Sequence, residues 1–120
     1  MRIGSDLQSI AELRSKPDLL GSRAVFTSGE LAHCQARIDP VASLAGLLSA
    51  KEACIKVLSA FEQLPGISFL DLEIHHTASG RPYLRAGNKL AAWLAKERLE
   101  LDVSISHTGE HAMAVAIVTR

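Results

Sequence analysis

Cysteine is scarce in this sequence: only Cys34 and Cys54 occur. Neither has a metal-type spacing and both fall on expected helices. That excludes a disulfide framework and fits reduced thiols in the cytosol. An excess of charge of one sign is also missing, because thirteen basic and thirteen acidic residues cancel. A broad nucleic-acid surface is therefore not expected, although local basic pockets remain open. No apolar run is long enough to span a bilayer, so no membrane role is expected. The start, Met1-Arg2-Ile3-Gly4-Ser5-Asp6, lacks the apolar core of a signal peptide. There is no internal repeat and no low-complexity linker. What is present is 120 residues, 48% of them hydrophobic. That predicts a single domain over 1–120 with a real core.

The most informative stretch runs from Asp39 to Leu64. Asp39 can cap a helix and Pro40 suits its first position. At about 100° per residue, Val41, Leu44, Ala45, Leu48 and Ile55 share one side. Leu47, Ala50, Cys54, Val57 and Phe61 share the other. A helix apolar on both sides is expected inside a core, ending near Leu64 where Pro65-Gly66 stops it. Glu52 interrupts the first stripe. A carboxylate there needs a partner, because an isolated buried charge is very costly. Lys56, one turn on, could supply it as a plain i,i+4 ion pair. A functional site is the alternative reading.

Around this helix the chain alternates between short elements. Met1 to Ser5 predicts a strand that stops at Asp6, which is either a turn-former or a ligand at a strand end. Ser9 and Glu12 have capping-box spacing before a short helix anchored by Ile10 and Leu13. Pro17 to Ser22 reads as a loop. Thr27 and Glu30 repeat the capping-box spacing, and Leu31, Cys34 and Ile38 are expected to face inward from a helix of about ten residues. His33 reads as a surface or packing residue. Ile67 to His75 alternates as a half-buried strand with Leu70, Leu72 and Ile74 inward. His75 and His76 point to opposite faces, which speaks against a metal pair. Thr77 to Gly80 is a turn, and Arg81 to Arg85 is the return strand, with Pro82 placing it at an edge or next to a bulge. Arg81 and Arg85 are either solubilising or an anion contact. Asn88 can cap a helix whose apolar side is Leu90, Trp93, Leu94 and Leu101. Leu101 to His107 and Ala112 to Val118 predict a final pair of strands. Ala112, Ala114 and Ala116 line one face, where a helix or a subunit can approach closely. Ser106, His107 and Thr108 cluster at a strand end and suit anion binding better than nucleophilic catalysis.

These motifs, in this order, resemble the small holo-acyl-carrier-protein synthase type of 4′-phosphopantetheinyl transferase. They are Ile3-Gly4-Ser5-Asp6, Leu44-Ala45-Gly46 leading to Ala50-Lys51-Glu52-Ala53 with Lys56, Gly80-Arg81-Pro82, and Ser104-Ile105-Ser106-His107-Thr108. The resemblance covers nearly the whole chain. It implies an α+β fold, with a small, mostly antiparallel sheet packed on a long central helix, in a homotrimer with sites between subunits. It implies transfer of phosphopantetheine from coenzyme A to a serine of an apo acyl carrier protein, releasing 3′,5′-ADP, within fatty acid and lipid biosynthesis in the cytoplasm. Carried over by residue, Asp6 and Glu52 would hold Mg²⁺. Lys56 would assist at the attacked phosphate, with Lys51 close by. Arg81 and Pro82 would meet the 3′-phosphate and adenine side of coenzyme A, and Ser106, His107 and Thr108 would bind phosphate. The Asp/Glu/Lys set would come from one subunit and the Ser-His-Thr set from its neighbour. Two carboxylates with waters suit Mg²⁺, and phosphoryl transfer needs positioning and charge rather than an enzyme nucleophile. Two positions depart from the family pattern. Leu47 stands where an Arg is usual, and Glu12 lies where a basic residue is usual, leaving Arg14, Lys16 and Arg23 as substitutes. The rival reading is a non-catalytic module on the same fold that holds coenzyme A or a carrier without transfer.

Overall fold

The computed structural model describes all 120 residues. The chain begins with β1 (Arg2–Ser9), then α1 (Ile10–Arg14), α2 (Pro17–Leu20), α3 (Ser28–Gln35) and the 19-residue α4 (Pro40–Leu58). A 3₁₀ turn (Phe69–Asp71) leads into β2 (Leu72–His76) and β3 (Pro82–Ala86). The chain closes with α5 (Asn88–Glu97), β4 (Glu100–His107) and β5 (His111–Thr119). An antiparallel sheet of order β1-β5-β4 forms the base, and β2–β3 is a separate hairpin.

The inner face of the sheet receives α4. Ala112, Ala114 and Ala116 are sealed beneath it, as the small-residue face allows. On β1 the close approach depends on Gly4. A Cβ there would lie 2.5 Å from the Ala53 carbonyl oxygen and 2.9 Å from the Val57 nitrogen. The missing side chain thus lets the strand touch the helix backbone. Leu44, Leu47, Leu48, Cys54, Val57 and Leu58 of α4 are all buried in a core shared with Phe26, Leu72, Leu90 and Trp93.

Several boundaries differ from the sequence expectation. β1 continues to Ser9, because β5 offers a partner as far as Ser9↔His111; Asp6 is therefore mid-strand, not at a junction. Pro17 to Leu20 is a helical turn with Pro at its first position, not a loop. α4 stops at Leu58, six residues early. Ser59 turns its hydroxyl back to the Ile55 carbonyl at 2.6 Å. Phe61 thereby folds back edge-on to Trp93, with ring centroids 5.6 Å apart. α3 ends at Gln35, so Ile38 lies beyond it and is fully exposed. Leu70 is exposed because Asp71 caps the 3₁₀ turn through the Ser68 N–H at 2.8 Å, which takes that residue out of the strand alternation. The cap of α5 is Gly87 rather than Asn88, with no side-chain bond. Leu101 belongs to β4. The capping box at Thr27, the one-way Ser9 cap that accepts from the Glu12 N–H, the turn before β3 with Gly80 at φ 91°, and the alternation in β4 and β5 follow the sequence pattern; the reciprocal Glu12 bond to Ser9 does not form.

Candidate functional site

Helix α4 carries two lysines with opposite fates. Lys56 is half-exposed, and its ammonium donates to Asp6 Oδ1 at 3.0 Å and to the Ser5 carbonyl at 3.0 Å. Asp6 is only 11% exposed, and its second oxygen accepts from Gln8 Nε2 at 2.7 Å. Gly4 makes this meeting feasible, since it brings β1 onto the last turns of α4. The expected Glu52–Lys56 pair does not form, because Lys56 turns to the strand instead. Glu52 is half-buried, one helical turn before Lys56 on the same face, and takes part in none of the five ion pairs. A free carboxylate, a carboxylate held by a cation and that cation thus share one flank of α4.

Lys51 is placed elsewhere. Its side chain is fully buried, bonded to Glu30 Oε1 at 2.8 Å and donating to the Phe69 carbonyl at 2.8 Å. Burial pulls its pKa below the ordinary lysine range, and the Glu30 hydrogen bond opposes that pull. Lys51 is therefore a core residue and not a ligand contact. Its partner Glu30 also accepts from the Thr27 and Ile74 N–H groups, both at 2.9 Å. The capping motif accounts for only part of what Glu30 does. A signal existed: Lys51 lies four residues after Leu47 and seven before Leu58, on a buried stripe, so it needed a buried anion.

The remaining candidates lie across the helix. A cleft of about 370 Å³ is lined by Pro82, His107, Leu47, Gly46 and the α3 side of the molecule. Ser43 and Leu47 point about 140–180° round α4 from Glu52 and Lys56 at 100° per residue. The Asp6–Lys56 group and this cleft thus flank the helix on opposite sides. Ser106 is exposed on the outer sheet face, level with Met113. Thr108 builds the β4–β5 turn, its hydroxyl oxygen accepting from the Glu110 and His111 N–H groups, both at 3.2 Å. Arg81 is exposed and reaches Asp102 at a long 3.4 Å.

The sequence reading missed three cleft residues. His33 and His76 stack with ring centroids 4.0 Å apart and planes within 6°, and Arg37 lines the same cleft. Their separation along the chain hid them, although an unpaired Arg beyond a helix end was a usable hint. Arg14 is committed to Asp39 at 2.6 Å, leaving Lys16 and Arg23 outside any ion pair.

The carboxylates that could hold a divalent cation here are Asp6 and Glu52, hard oxygen donors of which Glu52 joins no ion pair. No group of three or more His, Cys, Asp or Glu side chains converges anywhere in the structure. Two carboxylates fit Mg²⁺, which keeps several of its waters, better than Zn²⁺ or Ca²⁺, which want fuller protein cages.

The chain matches the family model described as the 4′-phosphopantetheinyl transferase superfamily over residues 2–116. It is 40% identical over 124 positions to the holo-[acyl-carrier-protein] synthase of Moorella thermoacetica, covering 98% of this chain and 93% of that one. It is 38% identical to the enzyme of the same name from Protochlamydia amoebophila, covering 96% and 94%. Among solved structures, the ACPS–CoA complex of Chronobacterium ammoniagenes superposes with a TM-score of 0.82 at 32% identity, covering 98% of this chain and 95% of that one. With sequence, fold and the Asp6–Lys56 flank in agreement, the chain belongs to the 4′-phosphopantetheinyl transferase superfamily.

Proposed function

We propose that residues 1–120 form one transferase domain, a holo-acyl-carrier-protein synthase that moves phosphopantetheine from coenzyme A to a serine of an apo carrier protein. Family membership supports the reaction class. The observation that carries the site is Lys56 held by Asp6 at 3.0 Å on the face that also presents Glu52. Asp6 and Glu52 would hold Mg²⁺, which when bound would neutralise charge developing on the pyrophosphate. Asp6 keeps the Lys56 ammonium oriented toward the same flank, so that it can bind the phosphate under attack. Glu52 is the free carboxylate within reach of that flank and can accept the serine proton. Because positioning and charge do most of the work in phosphoryl transfer, no enzyme nucleophile is needed.

The working unit is a homotrimer with shared sites. Two features support this reading. The cleft carrying His107 and Pro82 lies across α4 from Lys56, so a ligand touching both sets needs two chains. The outer sheet face exposes Ile3 at 61%, Leu7 at 63% and Met113 at 41%, an apolar surface suited to a neighbouring copy. Ser106 lies on that face. Arg81, Pro82, His107 and Thr108 serve the coenzyme A side. Lys16 and Arg23 supply basic contacts to an acidic carrier. No helix is long and apolar enough to cross a membrane, and the enzyme works in the cytoplasm on carriers of fatty acid and lipid synthesis.

The test is incubation with coenzyme A, Mg²⁺ and apo carrier proteins, read by intact mass. Addition of one phosphopantetheine to a carrier is expected, and failure with every co-occurring carrier overturns the assignment. Glu52→Gln should lower the rate by at least ~10²-fold at unchanged melting temperature.

A further inference from the structure

Asp6 has two carboxylate oxygens and two different donors. Lys56 Nζ holds Oδ1 at 3.0 Å, and Gln8 Nε2 holds Oδ2 at 2.7 Å. Nothing in the transfer reaction itself calls for the Gln8 bond, yet it is the shorter of the two. It exists because β1 runs past Asp6 to Ser9. Asp6 and Gln8 then lie two apart on one strand, on the same face as Gly4, which meets α4. Opposite them on β5 stand Ala114 and Ala112, both buried. Their methyl groups leave room for the Gln8 side chain to turn back along the strand, and they offer it no competing polar group. We propose that Gln8 is a positioning residue for the metal site: its Nε2 braces the Asp6 carboxylate from Oδ2, leaving Oδ1 as the oxygen that a divalent cation takes over from Lys56. This rests on the reading of Asp6 and Glu52 as the metal-holding pair and extends it to the group that keeps Asp6 in place.

The physical argument concerns what can fix a carboxylate. The last torsion of an aspartate is broad rather than sharply rotameric, so its plane is set by whatever bonds its oxygens. Asp6 is only 11% exposed, so solvent does little of this. Lys56 is 56% exposed, and a divalent cation arriving at Oδ1 repels its ammonium. Gln8 is neutral and half-buried, and it holds the other oxygen. Its amide nitrogen must face Asp6, because its carbonyl oxygen and an ionised carboxylate are both acceptors. The Gln8 bond therefore persists when one cation replaces another at Oδ1. A neutral donor also leaves the carboxylate charge available to the metal, where a Lys or Arg at position 8 would offset it. Mg²⁺ accepts little departure from octahedral geometry, so the orientation of Asp6 carries over into metal affinity.

The experiment is Mn²⁺ binding to the full chain, with and without coenzyme A, read as free Mn²⁺ by electron paramagnetic resonance. Gln8→Met keeps the side-chain length and loses the donor. It should weaken Mn²⁺ binding by ~10-fold or more, the loss typical when a partner of a metal ligand is removed. Lys56→Met should not weaken it, because a competing cation has gone, and Gln8→Met should still cost ~10-fold in that background. In transfer assays with Gln8→Met, the Mg²⁺ concentration for half-maximal rate should rise by a similar factor, with KM for coenzyme A unchanged at saturating Mg²⁺. A purely structural role would lower the melting temperature without that split. Should Gln8→Met fold poorly, the wild-type chain supplies a second readout: Mn²⁺ should broaden the side-chain amide signals of Gln8 in the NMR spectrum. Unchanged Mn²⁺ binding by Gln8→Met overturns the proposal. So does a loss on Lys56→Met as large as that on Gln8→Met, a wild-type chain that binds no Mn²⁺, or Gln8 signals that stay sharp. Each of those results leaves the transferase assignment standing if carrier proteins are still modified. Gln8-dependent Mn²⁺ binding with no transfer to any carrier would sink the assignment and keep the positioning role.

Discussion

Lys51 and Lys56 are five residues apart on the same helix, and each pairs with one carboxylate across a sheet or helix contact. Lys51 and Glu30 are both 0% exposed; Lys56 is 56% exposed and Asp6 11%. The first pair is dry, and both oxygens of Glu30 are engaged, by the Thr27 N–H, the Ile74 N–H and Lys51. It ties α3, α4, β2 and the 3₁₀ turn together. The second pair faces solvent beside an unpaired Glu52. A helix rotation of about 140° separates an ammonium that cements the core from one that can meet a phosphate. The two lysines of α4 therefore do not share a role, and burial decides which of them is free for chemistry.

The largest effect should come from breaking the buried pair. Lys51→Ala would leave Glu30 charged and unpaired in the core, at a cost of about 3–5 kcal/mol. Denaturant unfolding should show this. Replacing both partners with apolar residues should recover part of the loss, whereas equal loss in the double variant would argue against the pair as its source.

The same truncation at Lys56 should behave in the opposite way. Exposed pairs contribute about 0–1 kcal/mol, so Lys56→Ala should melt within a few degrees of the parent. Its transfer rate should nevertheless fall by about 10²-fold, mainly in kcat. A variant that loses stability and keeps its rate would erase the contrast between the two lysines.

A pH titration of stability sharpens the comparison a third way. His76 titrates below the ordinary imidazole range in the folded chain. As pH falls, the unfolded chain takes up this proton first. The His76 contribution is intact above the unfolded value and is lost as pH falls from it toward the folded value. The melting temperature of the free protein should drop across that window. His76→Asn should reduce the acid-side drop.

The smallest effect is expected at Arg81. Its 3.4 Å contact with Asp102 is long, and both side chains are exposed, so Arg81→Ala should leave folding unchanged. A rise of about threefold in KM for coenzyme A, with kcat held, would mark it as a ground-state contact.

Much of this was legible from local pattern. The Asp39-Pro40 start of α4, the Thr27 and Ser9 caps and the period-2 alternation of β4 and β5 depend on neighbours within a few residues, and all are present. The end of α4 is not legible in the sequence: Pro65-Gly66 is a strong stop signal, but packing of Phe61 on Trp93 accompanies an earlier end at Leu58. Asn88 was read as a cap, yet the Gly87 backbone is held by the Asp71 carbonyl at 2.8 Å.

By itself, the sequence determined the main helices and strands, the apolar faces of α4, β4 and β5, and the motif set of Asp6, Glu52 and Lys56, because these follow from short-range spacing. Tertiary structure decided the partners. Gly4 lets β1 reach α4, so Lys56 turns to Asp6 rather than Glu52. Lys51 finds Glu30, 21 residues upstream, and His33 meets His76 across 43 residues of chain. Those pairings depend on how helices rotate and strands register in the packed core, and no spacing along the chain encodes them.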